Sequence, residues 1–170
     1  DLDPIMREKN IPLFTLETQE PVKNFDFLGI TLQYEMCYTN VLQILDLAQI
    51  PLHAADRGED MPIVIGGGPC AYNPEPLADF FDMFYIGEGE TVYFELLDCY
   101  KENKKNGGSR RDFLEKAAQI EALLLHGDEF GSSIVSGIFP KLTRVRSVAV
   151  TVCVAFAFGT RCFLLLGKGG

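Results

Sequence analysis

The chain has no tryptophan, only two histidines, and 15 basic against 24 acidic side chains. A net charge of −9 repels phosphate backbones, which argues against charge-driven nucleic-acid binding. The opening DLDPIMREKN lacks the basic start and apolar core of a secretory signal. No CxxC pair and no Cys/His ligand spacing occurs among Cys37, Cys70, Cys99, Cys153 and Cys162. Neither a disulfide framework nor a metal site is therefore indicated, and reduced, mostly buried thiols in a cytoplasmic protein are expected. Neither a P-loop nor GxGxxG is present. The apolar run Val148–Leu166 is interrupted by Gly159, Thr160 and Arg161, too early for a membrane-spanning helix.

What is present suits one domain of ordinary size: 170 residues, 47% hydrophobic and 23% charged. Charge divides the chain in two. Residues 1–121 carry 22 acidic and 10 basic side chains, and residues 122–170 carry 2 and 5. Texture changes at the same place, from short apolar runs between amphipathic segments to a Gly/Ser stretch and the long apolar run.

The first part alternates strands and helices. Phe25–Gln33, Pro62–Ile65 and Asp82–Ile86 read as strands, rich in aromatic and β-branched residues. Tyr38–Ile50 carries apolar residues at helical spacing and is stopped by Pro51. Pro4–Asn10, Thr91–Glu102 and Asp112–Glu121 read as further helices, and Asn73-Pro74-Glu75-Pro76 as a short one capped by Asn73. Near-continuous apolar strands alternating with helices predict an α/β parallel sheet covered on both faces. In such sheets ligands lie beyond the carboxyl ends of the strands. Tyr34–Cys37, Gly66–Pro74 and Gly87–Glu90 leave those ends.

Gly66-Gly67-Gly68-Pro69 permits positive φ and close backbone approach, and is also what a plain tight turn would use. Gly87-Glu88-Gly89-Glu90 opens a helix, where carboxylates meet free N–H groups; it reads as a capped turn or as a nest for ligand hydroxyls and amides. Glu35, between Tyr34 and Tyr38, has no partner base or nucleophile. His53 is a loop histidine. No catalytic constellation is visible.

The stretches FDFLGITLQYEMCYTNVLQILDLAQIPL, GGGPCAYNPEPLADF and an aromatic-apolar strand followed by GEGE occur in order. Over residues 5–121 this resembles the amino-terminal, cobalamin-binding-type region of a bacterial group of radical S-adenosylmethionine (SAM) proteins. The resemblance implies a flavodoxin-like, doubly wound parallel sheet with cobalamin across its carboxyl rim. It places the nucleotide tail of the cofactor near Gly66, Gly67, Gly68 and Pro69, and near Gly87, Glu88 and Gly89. It also implies a partner, a radical SAM barrel domain holding a 4Fe-4S cluster and S-adenosylmethionine through CxxxCxxC. This sequence has no CxxxCxxC, so cluster and SAM belong to that missing domain, and it has no DxHxxG to supply a cobalt ligand. The family's first strand, upstream of MREKN, is absent; in a flavodoxin-like order it lies between the second and third strands. Its loss is expected to expose an apolar edge on Phe25–Gln33. Residues 1–121 are thus expected to form a partial cobalamin-binding-type domain without catalytic machinery of its own. A non-catalytic interaction or regulatory module of the same fold is the alternative. Residues 122–170 are unmatched: a shifted frame or chimeric junction would produce such a tail, and so would a genuine extension. Neither nucleic acid nor membrane is expected as a partner.

Overall fold

A computed structural model of the protein describes residues 2–87, 89–120, 123–125 and 163–166. The three expected strands form β1 (Phe27–Thr31), β2 (Ile63–Gly67) and β3 (Met83–Tyr85), all parallel. Two more join at the edges, β4 (Leu123–Leu125) antiparallel to β3 and β5 (Phe163–Leu166) antiparallel to β1. The sheet order is β4-β3-β2-β1-β5. The result is an incomplete α/β, flavodoxin-like sheet.

Side chains of the strands alternate between two cores. Leu28, Ile30, Val64 and Phe84 face α2 (Tyr38–Leu47), which contributes Val41, Ile44 and Leu45. Phe27, Ile63 and Met83 face α3 (Gly89–Lys105) and α4 (Arg110–Ala117), meeting Leu96, Phe113 and Ala117. The short helix α1 (Asp3–Glu8) lies beside α2, tied through Arg7 to Asp46 and Asp3 to Gln43. Burial on both sheet faces is why the strands read as continuous apolar runs.

The structure corrects one expectation and refines others. β1 and β2 pair directly, from Phe27 opposite Ile63 to Thr31 opposite Gly67. Hydrogen-bonded strands lie about 4.8 Å apart, so no strand slot exists between them. The exposed edge expected on Phe25–Gln33 is the outer one, and β5 lies along it. The run Val148–Phe158, considered for that edge, lies outside the described residues. Residues 73–76 do not open an α-helix capped by Asn73. Two 3-10 segments, Pro69–Tyr72 and Glu75–Phe80, replace it. Pro74 and Pro76 would interrupt the ladder of one helix running through both segments, so the two stay separate.

The amino ends of the strands are locked by charge. Asp82, just before β3, accepts from Arg57 Nη1 at 2.9 Å and the Val64 N–H at 2.7 Å on one oxygen, and from Arg110 Nη2 at 2.8 Å on the other. The Arg57 guanidinium also donates to the Pro51, Leu52 and Phe80 carbonyls. Arg57 and Asp82 side chains are buried. Asp26, before β1, accepts from Tyr100 Oη at 2.7 Å and Lys104 Nζ at 2.6 Å.

Helix α4 begins with a reciprocal cap: Ser109 Oγ accepts from the Asp112 N–H, and Asp112 accepts from the Ser109 N–H. The bonds from Ser109 hold the Asp112 carboxyl below its ordinary range. Its contribution is therefore present above the usual aspartate pKa and is lost as pH falls through the lowered value. Ser109→Ala is expected to cost about 1 kcal/mol in urea unfolding at neutral pH. An unchanged midpoint would show that α4 is held by packing alone.

Candidate functional site at the carboxyl rim

The three loops expected to carry the site leave the same end of the sheet. β1 continues through Leu32 to an extended Tyr34 and a 3-10 turn at Glu35–Cys37, from which α2 starts. β2 turns at Gly68 into Pro69–Tyr72, and β3 turns at Gly87 toward α3. Glu88 lies outside the described residues. Gly87 takes φ +120°, and the backbone of Gly89 is the first residue of α3.

The glycines of the GGGP turn have different jobs. A Cβ on Gly66 would lie 2.7 Å from the Phe84 ring, so its absence lets β2 and β3 pack. Gly68 has φ +94°, and a Cβ there would lie 3.0 Å from the Leu32 carbonyl oxygen. This close approach is fastened by backbone bonds: Leu32 N–H donates to the Gly67 carbonyl at 2.7 Å and Cys70 N–H to the Leu32 carbonyl at 3.0 Å. Gly67 alone faces open space, with nothing within 4 Å of where its Cβ would be. Pro69 is exposed beside it. A side chain on Gly66 or Gly68 would thus meet the protein itself and only Gly67 has room for one, while the exposed backbone of this turn is at Gly68 and Pro69.

Around the turn stand side chains that the core does not use. Tyr34 is 52% exposed, Met36 81% and Tyr72 47%. Large apolar and aromatic groups left in water favour an overlying surface, and these three stand on loops that leave the same rim of the sheet. Nothing in the residue pattern marks Met36 and Tyr72 as uncovered, because Met and Tyr near strand ends are as often core residues.

Cys70, in the turn after β2, lies near Tyr38 at the start of α2. Burial pushes the Cys70 thiol up, and the Glu35 charge pushes in the same direction. The Tyr38 hydroxyl is also raised, first by burial and then by Cys70. Cys70 is therefore protonated at neutral pH and is not poised as a thiolate nucleophile. Glu35 is exposed on its 3-10 turn. His53 lies at the opposite end of the sheet, its ring 5.2 Å from that of Phe80, and takes no part in the rim. His126 lies outside the described residues. Among the described residues no group of three or more His, Cys, Asp or Glu side chains could hold a metal ion, and no helix is long and apolar enough to cross a membrane.

An uncharacterized protein of Methanocaldococcus jannaschii is 41% identical over 96 residues, covering 54% of this chain and 20% of the relative. The chain thus spans about a fifth of that relative's length. No solved structure matches. A family model described as "Radical SAM proteins, N-terminal" matches residues 1–125, ending with β4 at the edge of the sheet. With the whole described parallel sheet inside the match, the chain belongs to the family of radical SAM protein N-terminal domains.

Proposed function

We propose that this chain is a cobalamin-binding-type accessory domain of a radical SAM protein, and that cluster binding and SAM cleavage belong to a separate barrel domain. The observation that carries this reading is the coincidence, on one rim, of the exposed Gly68-Pro69 backbone and the room beside Gly67 with the uncovered Tyr34, Met36 and Tyr72. Such a surface suits a broad, flat, largely apolar ring edged with amides. When bound, cobalamin supplies a cobalt centre able to carry a methyl group or electrons. The residues of this chain that would hold the ring are Gly67 and Gly68, where it could approach the backbone, and Tyr34, Met36 and Tyr72, which would pack on its apolar surface. With no CxxxCxxC in the sequence, this chain has no role in cluster ligation.

Equilibrium dialysis of the chain against hydroxocobalamin tests the reading. Weak saturable binding is expected, with Kd of about 0.1–1 mM. A Cβ added at Gly67 meets no atom within 4 Å and valine suits a strand, so Gly67→Val should leave the circular dichroism spectrum unchanged and weaken binding at least about tenfold. Absence of saturation, or equal binding by the variant, would favour the alternative of a regulatory module that docks protein on the same side chains.

A further inference from the structure

The outer edge of β1 has the chemistry of an interior position. Phe27, Leu28 and Ile30 are buried, with Phe27 on one sheet face and the other two on the opposite face. A strand packed on both faces leaves a row of unpaired N–H and C=O groups if its edge is open, and such an edge templates further pairing. Here the edge is taken by β5, with Phe27 opposite Leu166, Leu28 opposite Leu165, Gly29 opposite Leu164 and Ile30 opposite Phe163.

Three features make this pairing exchangeable. β5 is four residues long and stands at one end of the strand order. β4, the preceding described element, stands at the other end, with residues 126–162 between them in sequence. The Leu164-Leu165-Leu166 run also has no alternation of polar and apolar residues to tie its register to one sheet.

Every copy of the chain carries both halves of the pair, the β1 edge and the β5 segment. A second copy therefore supplies a complementary occupant without any new contact chemistry. When two copies exchange β5, each β1 edge is filled, the two contacts are identical, and the assembly closes with twofold symmetry. The same β1–β5 bonds exist in the closed monomer and in the exchanged dimer. Exchange is bimolecular, so the balance shifts toward the dimer as protein concentration rises.

We propose that the outer edge of β1 is a strand-exchange interface at which Phe163–Leu166 of a second copy replaces the segment of the same chain, giving a closed dimer. The proposal is independent of the cofactor reading, since the β1 edge is not part of the carboxyl rim.

The full chain, measured by size exclusion with light scattering from about 10 μM to about 1 mM, should change from one to two chain masses, a twofold rise that stops there. The double variant Leu164→Pro/Leu165→Pro removes two adjacent N–H groups, at least one of which an antiparallel ladder at these positions uses. It should keep the far-ultraviolet spectrum of the β1–β2–β3 core and show no dimer over the same range. A monomer at every concentration overturns the proposal, as does mass growing past two chains. A dimer that persists in the double variant also overturns it, because the contact then lies elsewhere. If the variant loses its far-ultraviolet spectrum, hydrogen exchange on the wild-type chain decides. Protection of Phe163–Leu166 that is independent of concentration and equal to that of β2 would mark β5 as a fixed strand and reject exchange.

Discussion

Asp82→Ala is expected to lose about 3–5 kcal/mol of unfolding free energy, the range measured when one member of a buried charge pair is removed. The reason is what remains after the change. Arg57 stays buried with its charge uncompensated, Arg110 Nη2 keeps only the Pro62 carbonyl, and the Val64 N–H inside the sheet loses its acceptor. Domains of this size are stable by about 5–15 kcal/mol, so the loss removes a large share and puts the folded state at risk. Asp82→Asn keeps the shape and an acceptor for Val64 but drops the charge, and should fall between wild type and alanine. Urea unfolding of the three proteins at neutral pH is the measurement. A cost under about 1 kcal/mol for alanine would mean that the arginines reach water and that the cluster is not closed.

The second large effect separates glycines that look alike in sequence. Gly68→Val should cost about 2–5 kcal/mol: a left-handed backbone with a side chain costs about 1–2 kcal/mol, and crowding adds about 1–3 kcal/mol. The crowding here is against backbone, the Leu32 carbonyl and amide, which cannot swing aside as a side chain does. For a domain of this length the melting temperature should fall by roughly 2–4 °C per kcal/mol. Gly67→Val, one residue away, should leave the melting temperature nearly unchanged and act on ligand binding alone. Thermal unfolding of the pair decides. Equal destabilisation would show that the turn is strained as a unit, and Gly67 could no longer serve as a clean probe of the rim.

The functional reading separates in the same way. That the rim is where ligand chemistry belongs follows from strand direction, and strand direction was legible in the alternation of apolar runs with helices. Which rim residues are available was not. Gly66, Gly67 and Gly68 were equivalent as letters, and only the packing of Phe84 against the first and of Leu32 against the third leaves Gly67 open. Met36 and Tyr72 became candidates only once their exposure was seen.

By itself, the sequence determined the local structure of β1, β2, β3 and α2, together with the parallel α/β class. Those features depend on short-range causes: β-branched and aromatic runs, helical spacing of Val41, Leu45 and their neighbours, and stops at Pro51 and the glycine turns. It did not determine the direct pairing of β1 with β2, the antiparallel β4 and β5 at opposite edges, or the joining of Arg57 and Arg110 on Asp82. These depend on residues distant in sequence meeting in space. A leucine run such as Leu123–Leu125 has no period to distinguish a strand from a buried helix, and a charge reveals its partner only when burial removes water as the competing one. Tertiary structure decided them, because only the assembled sheet fixes which edge is open and which charges are enclosed.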